Sequence, residues 1–333
     1  MFLYRDILKR SALITWRNKY LWFFGLFASL LLGTGRFNLS FSQSAEDWNG
    51  NFFSNLADFF DKGLIGGGFF RSISLYYRQD PISASIFLVF FFIVVVLSVF
   101  LLWLAVVSQG GLTSDAAKIV KSGDKGPKPT IGSGLSIGAK KFWPVLGFNL
   151  IAMVMVYLFS AIAGLPLVFM PVRPEIDVML LYVLLFVLLI PLALIVSFLG
   201  KFAVCFSVIK GKKFIDSIED AIKLFAKNWL ISIEMALILF FVDFIAIFAI
   251  GLALLILAIP YFFASLVIAT VFSAGIFWLS VAIGFALAII LVVLAGSILT
   301  TFHMVAWTDI FINLTDKKGA LAKIVRLAEG MKK

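Results

Sequence analysis

Cysteine and histidine are almost absent: Cys205 and His303 stand alone in 333 residues. One cysteine cannot form an intrachain disulfide. One histidine cannot build a His-rich metal site, and Cys205 is not near it in sequence. Ser/His/Asp catalysis would rest wholly on His303, and no serine sits in a nucleophile-elbow motif. His303 reads as an interfacial polar residue near the cytoplasmic end of a span. Charge is scarce too. Charged residues make up 14% of the chain and hydrophobic residues 62%, against about 25% and about 45–50% in a soluble domain. Lipid must therefore be the solvent for much of the chain. The apolar stretches exceed the roughly 20 residues that cross a bilayer as a helix. They lack the alternation of barrel strands, so the expected fold class is an all-α membrane protein.

The charges that are present have a layout. Of the 28 Lys and Arg residues, 23 fall in residues 1–20, 109–142, 201–228 and 309–333. Cationic loops are held on the cytoplasmic side of a membrane. These blocks therefore predict an inner (plasma) membrane protein with both termini cytoplasmic and an even number of spans. The net charge of +10 is then topological, with a secondary role in touching anionic lipid headgroups. It does not call for nucleic acid. Arg5, Lys9, Arg10, Arg17 and Lys19 interrupt the N-terminus, so no cleavable signal peptide is expected.

Six spans are predicted, as three hairpins within one integral membrane domain over 1–333. They lie near 19–35, 82–108, 143–170, 177–206, 229–259 and 277–307. Residues 1–18 read as an amphipathic helix with Leu3, Tyr4, Ile7, Leu8 and Ala12 on one face. The only long external segment is 36–81, with an interfacial helix near 51–65. Pro81 suits the first turn of the second span, and Pro191 marks a kink in the fourth. Residues 261–312 are too long for one ordinary span. A seventh span would put the C-terminal basic block outside, so 261–275 is read as an external or half-inserted segment.

Each hairpin is introduced by an amphipathic helix ending near a tryptophan: Trp16 and Trp22, Trp143, and Trp229. In the third of these helices Ile218, Ile222, Phe225 and Trp229 form a stripe, and Asp216 or Ser217 is placed to cap its start. Each hairpin ends in a cationic segment with glycine: Lys121-Ser122-Gly123, Lys210-Gly211-Lys212 and Lys317-Lys318-Gly319. Pseudo-repeats of about 1–121, 131–213 and 214–318 follow. Convergence at the membrane interface, which draws Trp and Lys to any entering hairpin, is the alternative. Ser280, Gly284 and Ala288 recur every four residues, spacing that allows close helix approach.

Glu234 and Asp243 are the candidate intramembrane polar site, with Lys201 as a partner for Glu234. Carboxyl groups within a span are costly and face a bundle interior or a wet cavity. At about 1.5 Å per residue, Asp243 lies about 21 Å into the fifth span. Nine residues of separation put the two carboxyls on opposite sides of an ideal helix, so they do not form one site. No basic partner for Asp243 is evident at its depth. Gly132 to Gly138 superficially suggests a phosphate loop, but its spacing fits no such pattern, and it reads as a flexible linker.

Across Phe206-Ser-Val-Ile-Lys-Gly-Lys-Lys-Phe-Ile-Asp-Ser-Ile-Glu-Asp-Ala-Ile-Lys-Leu-Phe-Ala-Lys-Asn-Trp229 the chain resembles bacterial multi-pass proteins. These are similar to the membrane domain found beside some glycerophosphodiester phosphodiesterases. The resemblance implies a six-helix membrane domain and no catalysis: His303 is followed by Met304-Val305 rather than the His-Arg of such enzymes. The expected function is a non-enzymatic scaffold, lipid-interacting or complex-supporting protein. A small-solute or ion transporter using Asp243 is the alternative, and a lipid-acting membrane enzyme is third. No cofactor or metal is expected. The expected partners are the bilayer, anionic headgroups at the cytoplasmic face, and other proteins or a second copy.

Overall fold

Long apolar runs without strand alternation leave helix as the way to satisfy backbone groups in lipid, and helix is what forms. A computed structural model describes residues 3–35, 74–75, 77–78, 80–123, 129–169, 176–271 and 274–316. Among the described residues there is no strand. The main helices are α1 (Leu3–Arg17), α2 (Tyr20–Gly35), α3 (Pro81–Ser122), α4 (Ile131–Lys140), α5 (Phe142–Phe169), α6 (Ile176–Ile209), α7 (Phe214–Lys227), α8 (Trp229–Val271) and α9 (Ala274–Asp316). The expected interfacial helix near 51–65 and the basic tail from Lys317 lie outside the described residues.

Among the described residues, five helices are long and apolar enough to cross a membrane: Pro81–Ser122, Phe142–Leu165, Met179–Ile209, Trp229–Val267 and Ile276–Asp316. The protein is thus a helical, multi-pass membrane protein. The expected first span, α2, has 16 residues. That is about 24 Å of helix, short of the roughly 30 Å hydrocarbon core.

The region around 261–275 differs from expectation. Residues 261–271 are not a separate segment but the continuation of α8, which runs unbroken for 43 residues with Pro260 inside it. Its far end is tied to α9 instead of being released at the proline. The Tyr261 hydroxyl donates to the Ser280 carbonyl at 2.7 Å, and Ser265 and Ser280 share a hydrogen bond at 2.7 Å. The Tyr261 ring packs against Gly284, where a Cβ would collide with it. The small-residue spacing at 280 and 284 thus serves a close antiparallel helix pair.

The chain divides into two compact units. One comprises Met1–Gly33, Leu104–Asn149 and Phe198–Lys333, and the other Thr34–Trp103 and Leu150–Ser197. In the second unit α3 starts at a side-chain cap: the Ile82 and Ser83 amides donate to Asp80 Oδ1, each at 3.2 Å. These bonds, chiefly from Ser83, hold the Asp80 carboxyl below its ordinary range. Pro81 follows at the first helical position, where its missing N–H costs nothing.

The first unit holds the core. Phe198, Phe202, Phe206, Trp307 and Phe311 interlock there, with ring centroids 4.8–6.4 Å apart. Helices α3 and α6 end beside glycines at φ 62° (Gly123) and 71° (Gly211), the left-handed conformation that closes a helix without a Cβ clash.

Three helix elbows recur within this unit. Helix α1 breaks at Asn18 and Lys19 before α2, α4 breaks at Lys141 before α5, and α7 breaks at Asn228 before α8. The break residue closes one helix and opens the next. Asn18 donates both its backbone N–H (3.0 Å) and its Nδ2 (2.9 Å) to the Ile14 carbonyl. Asn228 does the same to the Leu224 carbonyl, at 3.1 and 3.0 Å. Lys141 uses its backbone N–H alone, at 3.2 Å from the Ile137 carbonyl.

Candidate functional site

Helices α8 and α9 run antiparallel in one register: 261 faces 284, 265 faces 280, and 243 faces 303. That register joins the candidate carboxyl to the only histidine. His303 Nε2 stands 2.7 Å from Asp243 Oδ1. At this separation the two side chains form an ion pair when the imidazole is protonated. The His303 side chain is 9% exposed and that of Asp243 22%. The expectation that Asp243 lacks a basic partner at its depth is therefore corrected. The reason is the hairpin register, which sets position 303 of α9 opposite position 243 of α8.

Glu234 has a different neighbourhood. It accepts a hydrogen bond from the Tyr4 hydroxyl of α1. Lys201 of α6 stands over the Trp307 ring, 4.7 Å from its centroid, and 5.7 Å from that of Phe198. Such stacking favours a cation held among aromatics. Glu234 and Asp243 thus have separate partners on separate elements, as their half-turn offset requires.

Sequence reasoning missed most of the surrounding polar groups. Between 297 and 313, α9 buries Ser297, Thr300, Thr301, His303, Thr308, Asp309 and Asn313. Ser297 and Thr301 donate to the Trp22 and Leu21 carbonyls of α2, the latter at 3.2 Å. Gly25 allows this approach, because a Cβ there would meet the Ser297 carbonyl. Asp309 lies 3.7 Å from Arg10 of α1 and accepts from Asn313 at 2.9 Å. On α3, buried Asp115 pairs with Lys118 at 3.0 Å. Gln109 of the same helix accepts from Asn149 of α5 at 2.6 Å. The available signal was the run of Ser, Thr, His, Asp and Asn within one otherwise apolar segment.

Two readings of the amphipathic helices change. Ser217 does not cap α7: its hydroxyl donates back to the Lys213 carbonyl at 2.7 Å, and the helix already starts at Phe214. The buried face of α7 runs through Ser217 and Ala221, while Ile222 and Trp229 are exposed. The glycines from 132 to 138 are not a flexible linker but part of α4, opened by a Thr130/Ser133 capping box. Gly134 and Gly138 face α3. A Cβ on Gly111 would lie 2.7 Å from the Gly134 carbonyl, and one on Gly110 would lie 3.1 Å from Gly138 Cα. The glycines serve backbone contact between two helices.

Among the described residues no group of three or more His, Cys, Asp and Glu is arranged to hold a metal ion. Comparison of the chain with protein-family models, with curated proteins and with solved structures finds no match.

Proposed function

We propose that the chain is a non-enzymatic, lipid-interacting scaffold of the inner membrane, with six spans and both termini cytoplasmic. One observation carries this reading. In four of the five long helices, the most apolar stretch has no residue buried within the chain. A transport path enclosed by one chain needs spans packed around it. These stretches instead leave their side chains to lipid or to partner helices. The loose resemblance to the membrane domain beside glycerophosphodiester phosphodiesterases agrees with a membrane module lacking its own chemistry.

The Asp243–His303 pair supports the second reading, a small-solute or ion transporter, because ionisable pairs inside spans commonly mark ion pathways. Reconstitution separates the two. Purified protein is placed in liposomes containing a pH-sensitive dye and subjected to a potassium diffusion potential. The scaffold reading expects proton leak equal to that of empty liposomes, for both the wild type and Asp243→Asn. A leak in the wild type that Asp243→Asn abolishes would give the transporter reading precedence.

A further inference from the structure

We infer that the three elbows are equivalent docking sites for the headgroups of anionic phospholipids; this rests on the lipid-interacting reading above and names its ligand. Each elbow places an exposed tryptophan within two residues of a helix break. Trp16 is 65% exposed, Trp143 77% and Trp229 54%. Tryptophan of this kind settles at headgroup level, where its ring meets acyl chains and its N–H meets polar groups.

Each elbow also carries lysine within three residues of that tryptophan in the sequence: Lys19 at the first, Lys140 and Lys141 at the second, Lys227 at the third. Among the described residues none of these four lysines has an ion-pair partner. Elsewhere the basic blocks are largely neutralised. Lys118, Lys121, Lys210, Lys212, Lys223 and Arg10 each approach a carboxylate. Arg5, Lys9 and Lys213 share this state, but only at the elbows does such a cation stand within three residues of an exposed interfacial tryptophan that adjoins a helix break.

The third elbow adds an apolar approach. Ile215 and Ile222 of α7 are 74% and 49% exposed. They sit seven residues apart, on the same outward face as Ala226. That face points away from the buried Ser217 and Ala221. A helix that buries one flank in protein, exposes isoleucines on another and carries lysines on a third lies along a membrane surface. An anionic headgroup between the lysine and the tryptophan completes the site by charge, with its acyl chains along the span that follows.

Native mass spectrometry of the full chain, released from micelles titrated with phosphatidylglycerol or phosphatidylcholine, tests this. The expected result is retention of up to three phosphatidylglycerol molecules in preference to phosphatidylcholine. In Lys19→Gln/Lys141→Gln/Lys227→Gln, one surface cation is lost per site, which weakens phosphatidylglycerol binding about fivefold at each. Lys19→Arg/Lys141→Arg/Lys227→Arg keeps the charge and is expected to bind as the wild type does, which separates lost charge from lost folding. Equal retention of both lipids, an unchanged affinity in the glutamine variant, or full displacement by millimolar inorganic phosphate would each overturn the inference. Proton leak in the liposome assay with headgroup selectivity intact would overturn the scaffold reading and leave the elbow sites standing.

Discussion

Replacing His303 with alanine is expected to destabilise the protein by about 3 kcal/mol, because removing one partner from a buried pair costs about 3–5 kcal/mol. The lower end applies, since the Asp243 side chain keeps 22% exposure while that of His303 is 9% exposed. Asp243→Ala is expected to cost a similar amount. The double variant should be little worse than either single one, since each single change already breaks the contact at 2.7 Å. Reversible unfolding in mixed micelles, read by far-UV circular dichroism, gives the three free energies. Additive losses would show that the two side chains act independently and would remove the pair from the account.

The second large effect is expected at the contact between α3 and α4. A Cβ on Gly138 would strike the carbonyl of Val107, and backbone cannot rotate aside as a side-chain tip can. Overpacking in a tight core costs about 1–3 kcal/mol, so Gly138→Val is expected to lose about 3 kcal/mol or fail to assemble. Gly132, in the same helix, has nothing within 4 Å of its Cβ position. Gly132→Ala is therefore expected to be neutral or to gain up to about 1 kcal/mol through helix propensity. Thermal melting of the two variants beside the wild type checks both signs. If the two substitutions behaved alike, the glycines of α4 would not be there for close approach.

Much of the layout was readable from local pattern. The amphipathic helices α1 and α7, the long apolar helices and the glycine-containing cationic segments at 123 and 211 follow from short-range signals: period, breaker and charge. The failures have one physical cause, which is that partners distant in sequence decide them. The expected end of the fifth span is near 259, but Tyr261 and Ser265 are held to Ser280 across the hairpin, and α8 continues through Pro260. Asp243 looked isolated because only the α8–α9 register brings His303 to it. The glycines from 132 to 138 looked loose because the backbone they fit against belongs to α3. Tyr4 at Glu234 is 230 positions away, beyond any local rule. Of the apolar stripe at 218, 222, 225 and 229, Ile218 and Phe225 pack against the core while Ile222 and Trp229 face outward.

The proposed topology, with both termini cytoplasmic, expects the three elbows on the cytoplasmic side and residue 80 outside. Cysteine labelling tests this most directly. Cys205 is buried and is first replaced by alanine. Single cysteines are then introduced as Lys19→Cys, Lys140→Cys, Lys227→Cys and Asp80→Cys, and intact cells are treated with a membrane-impermeant maleimide. The account predicts that Asp80→Cys reacts in intact cells, while the three elbow variants react only after the membrane is opened. Labelling of any elbow from outside, or of Asp80→Cys only after opening, would contradict it.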